Sequence, residues 1–403
     1  MNRRVRTILL TSDSYPPAVN GIVTHLLLLR KELERRGYRV LTIAPRRREG
    51  PASEENVLYI PSFPLPLRGD NFVTLPFPEL EKHPLLRSPI DIVHNHLFLI
   101  GMLGLRVAQK RNIPAVVTYH TFFRQYSDWT IPWIPKTVRY PLINALARSY
   151  FQQHRLIIAP SHKAIDELQQ ARVKAPIKLI TNGIDLARFR LADPQLFRQR
   201  YGLAPGKPLV TLTGILERGK NVDLAIRSLA RLRNMLAEVQ LIIIGDGNAR
   251  EALEELVARL RLRKQVMITG YLDRAMIASA AAATDVVLFT SDTDTLPTVV
   301  IEGMAAGKPV VAVRDDAVLD LVYHRYNGLL VAKDPLQLAE ALAYILTQRE
   351  QARRYGENSR KLAEAFSIER YVDQLEQLYS SLREQMGAAL VGALPFSRGG
   401  ASQ

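Results

Sequence analysis

Two carboxylates and a helix start stand close together in the stretch Ser291 to Gly307, SDTDTLPTVVIEGMAAG. An apolar strand, Val286 to Phe289, runs into an acidic turn and then into a helix that should open at Pro297, where the missing proline N–H would have been unpaired anyway. Free backbone N–H groups and the positive end of the helix dipole would then lie beside Leu296, Pro297, Thr298 and Val299, a ready seat for phosphate. Asp294 precedes this end and Glu302 lies one to two turns inside the helix. Phosphate on the helix end with a carboxylate on either side, each accepting hydrogen bonds from hydroxyls, suits a nucleotide-sugar. An ordinary strand–turn–helix with solvated acids would carry the same pattern.

Other residues able to do chemistry follow other apolar runs. GILERGKN, Gly214 to Asn221, supplies Arg218 and Lys220 near a helix start, and two cations there suit a diphosphate, Arg binding bidentately and Lys as a point charge. Asn20-Gly21 leads into a helix, and Gly21 would let an anion or sugar approach the backbone closely. His120 follows the strand AVVTY, so its imidazole should project from a strand's carboxyl end. The remaining histidines considered, His25, His94, His96, His154 and His162, read as helix or core residues. Gly245-Asp246-Gly247 does not complete a G-x-G-x-x-G fingerprint. Asp292-Thr293-Asp294 spells D-x-D, but no third ligand pairs with it, so no metal is expected. A plain turn glycine, a solvated turn and a structural histidine are the alternatives at Gly21, Lys220 and His120.

The elements that must position these residues alternate along the chain. Short apolar runs at Arg6 to Ser12, Val40 to Ala44, Ile90 to Asn95, Ala115 to Tyr119 and Leu156 to Ala159 are separated by amphipathic or loop stretches, a βαβ rhythm that predicts a parallel sheet. A second series runs through Leu209 to Thr213, Gln240 to Ile244, Val266 to Thr269, Val286 to Phe289 and Pro309 to Val313. The expected layout is α/β with two doubly wound halves: residues 1–182, a polar linker at 183–207, residues 208–366, a helix at 367–386 and a frayed tail at 387–403. Ligands of such sheets bind beyond the carboxyl ends of the strands, where the residues above cluster.

At 403 residues and 47% hydrophobic content the chain suits two cores. No window holds 18 uninterrupted apolar residues, which predicts no membrane span and no secretion signal. With no cysteine there is no disulfide, thiolate or zinc–thiolate chemistry. The net charge of +15 is uneven: residues 1–200 carry 30 Lys+Arg against 15 Asp+Glu, and residues 201–403 carry 24 against 24. A basic first half implies an anionic partner, a membrane surface or nucleic acid, unless it is simply a soluble arginine-rich face. No helix-turn-helix, RNA-binding signature or zinc pattern supports nucleic acid, so none is expected. Residues 122–151 mix aromatic, apolar and basic side chains, and Phe122, Phe123, Tyr126, Trp129 and Trp133 there suit an interfacial membrane contact or a greasy acceptor pocket. The expected setting is cytoplasmic, peripheral on the inner face of the membrane.

Taken together, SYPPAVNGIVTHLLLL, APSHKAIDEL, TNGIDLARF, IIIGDGNAREALEEL and DTDTLPTVVIEGMAAGKPVVA make residues 6–380 resemble the retaining glycosyltransferases of family 4. TYHTFFRQY looks like the segment found in diacylglycerol glucosyltransferases, whose acceptor is a membrane lipid. The resemblance implies the GT-B fold, two Rossmann-like domains facing a central cleft, with the last helix returning to the first domain. It implies that Glu302 binds the nucleotide ribose and that Asp294 binds donor-sugar hydroxyls. Lys220 and the helix end at Leu296 to Val299 would hold the diphosphate, Gly21 would approach it, and His120 would line the reaction centre. The donor would be a nucleoside diphosphate sugar, with no cofactor and no metal.

Two positions depart from the family pattern. Its Glu at the earlier acidic position is Asp294 here, one methylene shorter. Its Gly-Arg pair is Gly214-Ile215, so a phosphate-binding Arg is missing and Arg218 is the candidate to replace it. The expected reaction moves a hexose to a hydroxyl, a membrane lipid's in the first instance, with the anomeric configuration retained. A soluble sugar or polysaccharide acceptor, or a non-catalytic nucleotide-sugar binder, are the alternatives.

Overall fold

Apolar runs too short for helices and bounded by turns form strands here, and the amphipathic stretches between them cover both faces. The structure is a computed structural model that describes residues 5–46, 50, 53–64, 72–74, 83–123, 127–128, 131, 133–204 and 206–392. The chain divides into two units. The first takes the chain to Pro160, then Ala164–Ile180, and takes it up again at Tyr371; the second holds Ser161–Lys163 and Thr181–Arg370.

In the first unit, β1 (Thr7–Thr11), β2 (Arg39–Pro45), β3 (Val57–Ile60), β6 (Ile92–Asn95), β7 (Ala115–Thr118), β8 (Leu156–Ala159) and β9 (Ile177–Leu179) form one sheet in the order β3-β2-β1-β6-β7-β8-β9, with β4 (Ser62–Pro64) and β5 (Phe72–Thr74) as a separate antiparallel pair. All pairs in the large sheet are parallel. Every residue of β1, β6 and β7 is buried, as expected of strands covered on both faces. In the second unit, β10 (Leu209–Thr213), β11 (Gln240–Ile244), β12 (Val266–Ile268), β13 (Val286–Phe289), β14 (Val310–Val313) and β15 (Gly328–Val331) run in the order β12-β11-β10-β13-β14-β15, again all parallel. The order reverses between β1 and β6 and between β10 and β13, and at such switch points the strand ends leave a crevice for ligands.

β3, β4, β5, β9 and β15 go beyond the ten strands expected from the sequence. β9 is three residues with two of them exposed, and β15 is four residues opened by a glycine, so neither shows a strand pattern. The segment 183–207 is not a bare linker: it lies in the second unit and folds into the short helices Leu186–Arg190 and Pro194–Arg200, which bury Leu186, Phe189 and Phe197. Helices of five and seven residues are too short to display an apolar period.

The helix Gly21–Arg35 is capped by Asn20, whose side chain accepts from the Val23 amide at 3.0 Å, and it turns Val23, Leu26, Leu29 and Leu33 inward. Arg36 at its end donates to Asp373 at 2.6 Å and Glu376 at 2.7 Å on the helix Ile368–Gly392. That helix buries Tyr371, Val372, Leu375 and Tyr379, which is how the chain's last helix belongs to the first unit.

Candidate active site

In the second unit, the loop after β10 packs on the loop after β13. The Gly219 carbonyl accepts from Ser291 Oγ at 3.3 Å and Thr293 Oγ1 at 3.2 Å, and the Lys220 carbonyl accepts from Thr290 Oγ1 at 2.8 Å. A Cβ at Gly219 would lie 2.3 Å from Thr293 Cγ2, so only glycine allows this approach. The result is an ion pair between Lys220 and Asp294 at 2.7 Å. Burial pushes the Asp294 carboxyl up, but the charge and hydrogen bond of Lys220, a hydrogen bond from Ser291 and the charge of Lys163 outweigh it and hold the group below its usual range. Arg218 is exposed, with no ion pair among the described residues.

The helix Thr298–Ala305 begins one residue later than expected: Pro297 is its cap, at φ −78° and ψ 89°, and has no N–H to offer. Leu296 is buried in the core, so only its backbone is available to a ligand. The amides of Thr298 and Val299, the first two of the helix, have no partner within it, while Val300 N donates to the Pro297 carbonyl at 3.0 Å. Glu302 lies on the next turn, where burial pushes its carboxyl up to about 7 against the opposing charges of Arg274 and Arg188. Lys220, Asp294, Glu302 and the helix end therefore belong to one strand-end region.

Several partners in this region come from distant sequence and were not expected. Arg188 and Arg274 act on Glu302 from 114 and 28 positions away. Lys163 donates to the Asp292 carbonyl at 3.0 Å and to Asp315 at 2.7 Å, and Lys333 pairs with the Asp292 carboxylate at 2.6 Å. Each acid of the D-x-D thus faces a lysine, Lys333 or Lys220. No sequence signal short of a homologous alignment marks such cations.

The first unit offers a cavity of about 320 Å³ at the ends of β1, β6 and β7. Its wall carries an aromatic cluster, Phe98, Phe123, Tyr150 and Phe151 packed edge to face, and His96 and His120 line it. Asp13 lines it too: its carboxylate accepts from the amides of Leu99 at 2.9 Å and Ile100 at 2.6 Å at a helix start, and burial still pushes it up to about 6. Burial likewise lowers His120, reinforced by His96 and His25, so the ring is neutral near pH 7. Gly21 opens its helix with no atom within 4 Å of where a Cβ would be.

Among the aromatic residues expected at an acceptor or membrane surface, Phe123 lines the cavity and Trp133 is 66% exposed. Phe122 is instead a core residue, buried in the same apolar cluster as Tyr119, whose ring lies 6.2 Å from its own. Tyr126 and Trp129 lie outside the described residues. Beyond Trp133, the helix Lys136–Phe151 leaves Val138, Leu142 and Leu146 exposed at a spacing of four. Asp128 anchors the approach to this helix through Arg139 and Tyr140.

Two family models cover most of this architecture: one described as Glycosyltransferase Family 4 matches residues 19–188, and one described as Glycosyl transferases group 1 matches residues 193–362. The chain belongs to glycosyltransferase family 4. Its parallel-sheet units are those of the GT-B fold, shared with sucrose-phosphate synthase from Thermosynechococcus elongatus at a TM-score of 0.76 and 22% identity, covering 95% of this chain and 100% of the other. The Anabaena protein HepE, solved with UDP and glucose, matches at a TM-score of 0.71 and 20% identity over 96% and 100%. Among curated relatives, the alpha-monoglucosyldiacylglycerol synthase of Acholeplasma laidlawii is 24% identical over 92% of this glycosyltransferase and 96% of its own length. Among the described residues, no helix of this family 4 member is long and apolar enough to cross a membrane.

Proposed function

We propose that this glycosyltransferase moves a hexose from a nucleoside diphosphate sugar to the hydroxyl of a lipid at an anionic membrane surface, with the anomeric configuration retained and without a metal. The observation that carries the lipid reading is the aromatic cavity beside His120 together with the exposed apolar line Trp133, Val138, Leu142 and Leu146 on the same unit. A small polar acceptor would need neither. The relative from Acholeplasma laidlawii, by its name, acts on a diacylglycerol, and HepE binds UDP and glucose, which supports a nucleotide-sugar donor.

In this reading the donor is held by the second unit. The amides of Thr298 and Val299 and the Lys220 ammonium take the diphosphate, Glu302 accepts from the ribose hydroxyls, and Asp294, kept ionised by Lys220, accepts from the sugar hydroxyls. Charge that develops on the departing diphosphate is stabilised by groups already in position, the condition for lowering a barrier. An oxocarbenium-like sugar forms, and the departing phosphate is the base for the incoming hydroxyl. His120, neutral, contacts the sugar. The basic character of residues 1–200 draws the enzyme to anionic lipid at about 1 kcal/mol per Lys or Arg near the surface.

Vesicles test this. Donor consumption should require vesicles containing diacylglycerol, and association with them should weaken with salt. A Trp133→Ala/Leu142→Ser variant should lose about tenfold or more in vesicle partitioning, since each large apolar side chain contributes ~1.5–3 kcal/mol when buried. Equal turnover with a soluble sugar acceptor, or no salt-sensitive binding to anionic vesicles, would remove the lipid reading.

A further inference from the structure

The helix after β1 and the ends of β6 and β7 bring three histidines from separate segments into one buried cluster, only one of which the proposed transfer employs. His25 comes from the helix after β1, His96 from the end of β6 and His120 from the end of β7, and one ring nitrogen of each lies within 4.8 Å of the others. Their ring centroids are 5.2 Å (His96 to His120), 5.3 Å (His25 to His120) and 5.9 Å (His25 to His96) apart.

His25 is 3% exposed, His96 is fully buried, and both ring nitrogens of His25 and Nε2 of His96 have no hydrogen-bond partner among the described residues. Burial without a partner is unusual for such groups, because the lost contact with water is not compensated. The neighbouring buried histidines differ: His94 bonds Tyr379 at 2.6 Å and Thr118 at 2.7 Å, and His154 bonds Asn95 at 2.9 Å and the Tyr150 carbonyl at 3.1 Å. Among the described buried histidines, the unmatched ring nitrogens are therefore confined to the cluster.

We propose that His25, His96 and His120 form a binding site for one transition-metal ion of the zinc class, with a fourth coordination position toward the aromatic cavity. Three neutral imidazoles are a donor set for Zn²⁺, Co²⁺, Ni²⁺ or Cu²⁺ and a poor one for Mg²⁺ or Ca²⁺, which take oxygen. Burial holds all three rings neutral at pH 7, with His25 lowered to about 4, so protons do not compete there. A tetrahedral ion with bonds of ~2.0–2.1 Å needs nitrogens about 3.4 Å apart. His96 Nδ1 and His120 Nε2 share a hydrogen bond at 3.0 Å that the ion would replace, and a ring nitrogen of His25 lies within 4.8 Å of one on each of the other rings. His96 and His120 line the cavity, so the fourth position is reachable by water or a ligand hydroxyl. An ion there would hold His120 away from the sugar and inhibit transfer; that consequence rests on the proposed function, whereas binding does not.

The test uses the full chain without an affinity tag, stripped of metal. Co²⁺ titration at pH 7.5 should give the visible absorption of a four-coordinate ion at one equivalent, displaced by Zn²⁺. His25→Gln and His96→Gln should each weaken binding at least tenfold, with circular dichroism and melting confirming the fold, whereas His324→Gln, an exposed site in the other unit, should leave it unchanged. Anomalous scattering from a zinc-soaked crystal should place the ion among the three rings, a readout that depends on no variant. Absence of one-equivalent binding, retention of full affinity in both His variants, or an ion found only elsewhere would overturn the site. Zinc binding at the cluster without inhibition would leave the site standing and count against the role of His120 in transfer.

Discussion

Glu302 offers the sharpest test of donor binding, because a ribose hydroxyl donates most strongly to its ionised form and burial pushes its carboxyl up to about 7. With that value the group is about nine-tenths ionised at pH 8 and one-tenth at pH 6. Donor affinity should therefore fall about tenfold across those two units, ~1.4 kcal/mol. A second readout follows from the same shift. Between the ordinary carboxyl value of 4.5 and about 7, the folded protein holds a proton that the unfolded chain has lost. Stability should therefore decline with rising pH through that window and level off above it. Glu302→Gln mimics the protonated group, so it should bind donor weakly and without pH dependence. It should also be more stable than the native protein at pH 8, by up to about 3 kcal/mol, with the two converging below pH 4.5. Calorimetry from pH 5.5 to 8.5 with an intact nucleotide-sugar is the assay, since its esterified diphosphate lacks the second ionisation near about 6 that a free terminal phosphate has. A flat affinity in the native protein, or the same slope in Glu302→Gln, would refute the reasoning.

Lys220→Ala should lower kcat by ~2–4 kcal/mol, roughly 30- to 1,000-fold, with a smaller change in KM, because its charge counts most as the diphosphate departs; steady-state kinetics decide, and unchanged turnover contradicts the assignment. Arg218→Ala should weaken donor binding about tenfold at low salt if this exposed guanidinium replaces the missing Arg at Ile215, and normal activity would remove it from the site. Gly303→Ala would set a Cβ 2.4 Å from Val287 Cγ2 between the helix bearing Glu302 and β13. A loss of ~1–3 kcal/mol in thermal unfolding is expected from such overpacking, and an unchanged Tm would mean that the contact relaxes freely.

The two series of apolar runs were legible as parallel strands because both faces of each sheet are covered, leaving nearly unbroken apolar stretches such as TILLT, VVLF and VVAV. Asp294 and Glu302 could be found because a strand end, an acidic turn and a helix start are contiguous in the chain. Their surroundings could not. Arg188 and Arg274 reach Glu302, Lys163 reaches Asp294 and Lys333 reaches the adjoining Asp292 only through folding, and the elevated carboxyl of Glu302 and the depressed one of Asp294 reflect which charges arrive.

The α/β class, the family and the strand-end loops that carry the chemistry are legible in the amino-acid chain, since these depend on local pattern and on contiguous motifs. That segment 183–207 packs into the second unit, that Phe122 belongs to the core, and that His25, His96 and His120 share one cluster follow only from the folded arrangement. Parallel strand order brings together side chains that are up to 95 residues apart, and burial then sets their protonation, neither of which any local window contains.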